Sequence, residues 1–114
     1  MMFDKYCVDK IKAKEKCVTR RLIKSGRRPA IPGTIHRLKI DRTKDVYGYI
    51  LINSCSETQI RDIDDKEAQR EGFANRKDYI DYFMEKNDID ILSDYDWVWR
   101  VRFTYLGEDL DGIA

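Results

Sequence analysis

The chain has 114 residues, 42% of them apolar and 38% charged, and a formal net charge of +1. That length suits one domain around one core, and the composition is too apolar for a disordered tail and too polar for a membrane protein. No apolar run approaches the roughly 18 residues that a helix needs to cross a bilayer.

The opening residues, MMFDKYCVDKIK, carry Asp4 and Asp9 and lack the apolar stretch of a signal peptide, so a cytoplasmic location is expected. Phe3, Cys7 and Ile11 recur every four residues and predict a short helix from Asp4 to about Lys14. CVTRRLI then alternates as a strand does, with Cys17, Thr19, Arg21 and Ile23 on one face and Val18, Arg20 and Leu22 on the other. The basic loop 24–33 follows, and within it Pro32-Gly33 predicts a type II turn, because proline fixes the first central residue and glycine accepts a positive φ at the second.

TIHRLKI alternates again as a strand, and RTKD is a polar turn. VYGYILI, apolar on both faces, predicts a strand buried inside a barrel, with room for an extra short strand around Ser54–Ile60. From Asp62 the pattern becomes helical. Asp62 or Asp64 caps DDKEAQREGF, and Asn75 caps RKDYIDYFMEKN, whose apolar face is Tyr79, Ile80, Phe83 and Met84. An acidic connector, NDIDILSDYD, leads to WVWRVRFTYL. There Trp97, Trp99, Val101, Phe103 and Tyr105 share one face and read as core. Residues 107–114 form a ragged tail. The order is α β β β α α β, an α+β layout with a curled antiparallel sheet, expected as a single domain over 1–114.

Cys7, Cys17 and Cys55 are odd in number, widely spaced and form no CxxC, so each reads as a small buried hydrophobe. His36 is the sole histidine. No metal and no cofactor are expected. Charge is unevenly spread. Residues 1–44 hold fourteen Lys/Arg against four Asp/Glu, and the remainder hold eight against seventeen. Arg20, Arg21, Lys24, Arg27 and Arg28 crowd into nine residues. Such a cluster either attracts phosphate-bearing partners or pairs with the acidic half of the same chain.

Three segments resemble the ASCH domain family of the PUA-like superfamily. Lys16-Cys17-Val18-Thr19-Arg20-Arg21 is similar to the family's K-x-x-T-x-R signature at the start of the first strand. Pro32-Gly33-Thr34 resembles its turn, with Thr34 in place of the usual aspartate. Glu67 to Phe73, EAQREGF, resembles its acidic helix ending in E-G-F, followed by a second helix and a last strand with Phe103. Glu15 stands where the family more often has a glycine and a second basic residue, and Arg20 where an apolar residue is usual. The likeness runs from about residue 3 to 106 and implies a PUA-like curled antiparallel β-barrel flanked by about three helices.

The resemblance further implies a cleft beside the barrel that holds RNA or nucleotides, lined by Lys16, Thr19, Arg20, Arg21 and Glu71, with Arg27 and Arg28 guiding phosphates. A subgroup of small members removes the acetyl group from N4-acetylcytidine. Its lysine, threonine and glutamate fall on Lys16, Thr19 and Glu71. In that chemistry Lys16 takes the Thr19 proton, Glu71 protonates the departing amine or helps activate water for deacylation, and Arg21, on the Thr19 face of the strand, holds a phosphate, a carbonyl oxygen or an oxyanion. An ideal strand places Lys16 opposite Thr19, so it has to reach over from the helix–strand turn. Three functions therefore stand side by side: an RNA- or nucleotide-binding module, a metal-independent amidohydrolase, and a regulatory module whose acidic helices meet another protein. Specific double-stranded DNA readout is not expected, because the predicted helices from Asp62 to Asn87 are mostly acidic.

Overall fold

The computed structural model describes residues 1–24 and 27–110; the middle of the basic loop 24–33 and the end of the 107–114 tail lie outside the described residues. The chain begins with a two-residue strand, β1 (Met2–Phe3), and a helix, α1 (Lys5–Lys12). Asp4 caps α1 by accepting from the Cys7 amide at 2.8 Å, and the Phe3–Cys7–Ile11 stripe is buried as its spacing predicts. Three strands follow, β2 (Val18–Leu22), β3 (Ile35–Ile40) and β4 (Val46–Gln59). A 3-10 turn (Ile60–Asp62), two helices, α2 (Asp65–Arg70) and α3 (Arg76–Lys86), and β5 (Trp97–Gly107) complete the order. Asp64 and Asn75 cap α2 and α3 through the Glu67 and Asp78 amides. The Pro32-Gly33 turn forms with Gly33 at φ +87° and the Thr34 amide donating to the Ile31 carbonyl.

The five strands make one mixed sheet in the order β1-β3-β4-β5-β2. Four pair antiparallel, while β1, too short to show any alternation in sequence, pairs parallel with β3. β4 is a single strand of 14 residues, and the extra short strand expected near Ser54–Ile60 is its second half. Its pairing with β5 shifts between Ile52 and Ser54. One additional residue in a strand flips every later side chain to the other face. Ile50 and Ile52 therefore point inward, and Cys55, of the opposite parity, does so beyond the shift. Contrary to expectation, VYGYILI is not buried on both faces: Gly48, Ile50 and Ile52 are buried, whereas Tyr47, Tyr49 and Leu51 are only half-buried.

β5 serves two cores. Trp99, Val101 and Phe103 join Phe3, Cys7, Val8, Ile11, Leu38, Ile50 and Ile52 against α1. Val98, on the other face, joins Ile60, Ile63, Ala68, Tyr79 and Phe83 under α2 and α3. Trp97 departs from the predicted aromatic core face. It lies at the first position of β5 and is 55% exposed.

The two edge strands, β1 and β2, curl towards each other. Arg21 of β2 donates from a terminal guanidinium nitrogen to the Met2 carbonyl of β1 at 2.7 Å, and its guanidinium lies 4.8 Å from the Phe3 ring centroid. One side chain thus bridges a seam that no backbone ladder closes.

Candidate functional site

A cleft opens at this seam. β1 supplies Met2 and Phe3, β2 supplies Thr19, Arg20 and Arg21, and Lys16 enters from the turn before β2. Glu71, at the C-terminal end of α2, forms one wall, and Tyr79, Tyr82, Phe83, Lys86 and Asn87 of α3 form another. The free volume is ≈ 70 Å³.

The polar floor is an ion network. The Lys16 ammonium donates to the Glu71 carboxylate at 2.6 Å, to the Glu71 carbonyl at 3.1 Å and to the Val18 carbonyl at 2.8 Å. Its three protons are thereby engaged. The Arg20 guanidinium bridges Glu71 at 3.0 Å and Glu67 at 2.7 Å, and Glu67 also accepts from Arg70 and Arg100. Lys16 and Glu71 are 4% and 1% exposed. Burial opposes the charge on Arg20, but Glu71 and Glu67 outweigh it and raise its pKa. Burial likewise favours a neutral Glu67, yet hydrogen bonds from Arg100, Arg70 and Arg20 bring its pKa down to about 2.

Lys16 lies two residues before β2 begins, so strand alternation does not govern it. Its side chain lines the same cleft as Thr19. Among the described residues its bonds go to Glu71 and Val18, and none reaches the Thr19 hydroxyl. Arg21 is set apart. Its one side-chain hydrogen bond goes to Met2, its buried Nε has no partner, and no carboxylate of the described residues pairs with it. Burial pushes its pKa down, against the charges of Asp41 and Glu71, which act in the opposite direction. Tyr82 donates to the Asp4 carboxylate and lies 3.3 Å from the Cys7 thiol.

Five of the expected residues, Lys16, Thr19, Arg20, Arg21 and Glu71, therefore meet in one cleft. Arg27 and Arg28 are exposed and do not line it. Sequence reasoning missed the α3 wall. Tyr79, Tyr82, Phe83, Lys86 and Asn87 follow the i, i+3, i+4, i+7, i+8 spacing of one helical face, but two of the five are polar and hide the stripe from an apolar count. Glu67 and Arg100 were also missed. Glu67 is one helical turn before Glu71, and Arg100 pairs with Arg20 across β2 and β5.

No family model and no curated protein sequence matches the chain. Its architecture does match solved structures. An ASCH domain from Lactobacillus crispatus superposes with a TM-score of 0.66 at 18% identity, covering 90% of this chain and 71% of that one. This is the fold of an ASCH domain. A DUF984 protein from Enterococcus faecalis superposes equally well, with a TM-score of 0.66 at 13% identity over the same shares of both chains. Among the described residues no helix is long and apolar enough to cross a membrane.

Proposed function

We propose that this ASCH-fold chain binds RNA or a nucleotide through the seam cleft, with Arg21 as the hook for a phosphate or another anionic oxygen. Arg21 carries the proposal. Its side chain is half-buried, and a guanidinium fork fits a phosphate in two-point contact. Of the cations lining the cleft, Lys16 and Arg20 spend their charge on Glu71 and Glu67, and Lys86 is paired with Asp41. Arg21 has the Met2 carbonyl and the face of Phe3 and, among the described residues, no carboxylate.

Titration with cytidine monophosphate and with a short single-stranded RNA tests this. Arg21→Ala is expected to weaken both by at least tenfold, equivalent to about 1.4 kcal/mol, while a Lys24→Ala control leaves them unchanged. Equal affinity in wild type and Arg21→Ala, with both variants folded, would refute the hook.

A second reading has its own support, the presence of Lys16, Thr19 and Glu71 in one cleft. An amidohydrolase acting on an N4-acylated cytidine needs Lys16 to take the Thr19 proton, so the Lys16 ammonium must first give up one of its three protons, for which the Glu71 carboxylate at 2.6 Å is the acceptor. Release of cytidine from N4-acetylcytidine by the wild type, abolished in Thr19→Ala, would make this reading the leading one. Absence of turnover in the wild type would remove that substrate.

A further inference from the structure

Away from the seam, two depressions run together on the other side of Lys16. The first is bounded by Lys14, Cys17, Arg102, Thr104 and Tyr105, and Lys16 forms its back. The second is bounded by Lys14, Glu15, Cys17, Lys66, Gln69 and Arg70. Lys14 and Cys17 belong to both, so they form one groove crossing the end of α1, the start of α2 and the outer face of β5. Lys14, Lys66 and Arg102 are exposed. Among the described residues none of the three has an ion-pair partner, whereas Glu15 is already taken by Lys10, and Arg70 by Glu67.

Lys14 ends α1 at φ +62°, in the left-handed region where glycine is favoured. Its amide donates to the Ile11 carbonyl, so the conformation belongs to the helix terminus. Arg42 and Asp88 adopt the same left-handed conformation, so the backbone does not single Lys14 out; what Lys14 brings to the groove is an exposed ammonium with no ion-pair partner among the described residues.

We infer that this groove is a track for the phosphate backbone of single-stranded RNA whose nucleotide occupies the seam cleft. Lys14, Lys66 and Arg102 are the phosphate contacts. The inference rests on the proposed function and adds to it a second contact surface, outside the cleft. Lys16, which lines both hollows, is the wall they share. The groove is polar and open, with no exposed aromatic side chain other than the half-buried Tyr105, so it suits backbone tracking without base readout.

The test compares fluorescence anisotropy of a labelled 12-nucleotide single-stranded RNA with calorimetric binding of cytidine monophosphate. Wild type, Arg21→Ala, the double variant Lys14→Glu/Arg102→Glu, and Lys14→Gly are compared across salt concentrations. The double variant is expected to bind the RNA at least tenfold more weakly and to lower the salt slope by about 1.4, two contacts at about 0.7 each for a single strand. Its affinity for cytidine monophosphate is expected to stay that of the wild type. Lys14→Gly is expected to melt higher yet bind the RNA about threefold more weakly. RNA affinity and salt slope unchanged in the double variant would overturn the track, as would an RNA that binds no tighter than the mononucleotide. Failure of cytidine monophosphate to bind the wild type, with RNA binding still lost in the double variant, would instead refute the cleft reading and leave the groove as the binding surface.

Discussion

Glu71 holds the most exposed consequence of any single side chain, although it is itself 1% exposed. Its carboxylate neutralises Lys16 and Arg20 together. Removing one member of a buried ion network strands its partners and typically costs about 3–5 kcal/mol. Glu71→Ala is therefore expected to lower stability by that order in a denaturant titration, far more than loss of the surface pair Lys5–Asp9, where about 0–1 kcal/mol is usual. Glu67 supplies a pH signature. Its folded pKa is depressed from 4.5 to about 2, so the stability it contributes is fully present above 4.5 and drains away as pH falls towards 2. Melting temperature followed over that window should drop steeply in wild type and less in Glu67→Gln. An equal slope in both would assign the acid sensitivity to other carboxylates. At this scale the sequence was informative about identity and poor about partners. Lys16, Thr19, Arg21 and Glu71 were named from their motif, but nothing in one dimension says that Glu71 would be shared between Lys16 and Arg20 while Arg21 is left without a carboxylate.

Elements were legible where a period or a cap marked them. Asp4, Asp64 and Asn75 start the three helices as expected because a short polar side chain just before a helix satisfies an otherwise orphaned amide. β4 was harder, since a parity change at its bulge breaks alternation and makes one strand look like two. β1 was invisible, because two residues carry no period and its parallel partner lies more than thirty residues away. The curl of β4 has a specific dependence on Gly48, at φ +145°. A Cβ there would stand 2.7 Å from Tyr105 Cε1 and 2.8 Å from the Gly107 carbonyl oxygen. Gly48→Ala is expected to destabilise by about 1–3 kcal/mol, as overpacking with strained backbone does. A thermal melt within a degree of wild type would show that β5 moves aside freely.

Across the whole molecule, the uneven charge of the two halves resolves into both of its possible uses. Arg20 pairs with Glu67 and Glu71, Lys12 with Glu108, and Lys86 with Asp41, so part of the basic excess holds the fold together. Among the described residues Arg21, Lys14, Lys66 and Arg102 remain without such partners, and they carry the functional proposals. The two apolar cores are joined by β5, whose neighbouring residues Val98 and Trp99 enter different ones, and by the network from Lys16 to Arg100. Neither core can open without disturbing that strand. A single calorimetric transition is expected, with calorimetric and van't Hoff enthalpies equal; two resolved peaks would show that the helical core unfolds alone.

Arg21 and Trp99 face each other across β2 and β5. Whatever docks on the guanidinium does so beside an indole that is 6% exposed and whose N–H makes no hydrogen bond. The other tryptophan, Trp97, emits from a solvent-facing position and can be exchanged for phenylalanine. The molecule therefore contains its own optical gauge. A Trp97→Phe background would let the colour and intensity of one buried emitter follow occupancy of the cleft directly, without a dye, a tag or a labelled ligand.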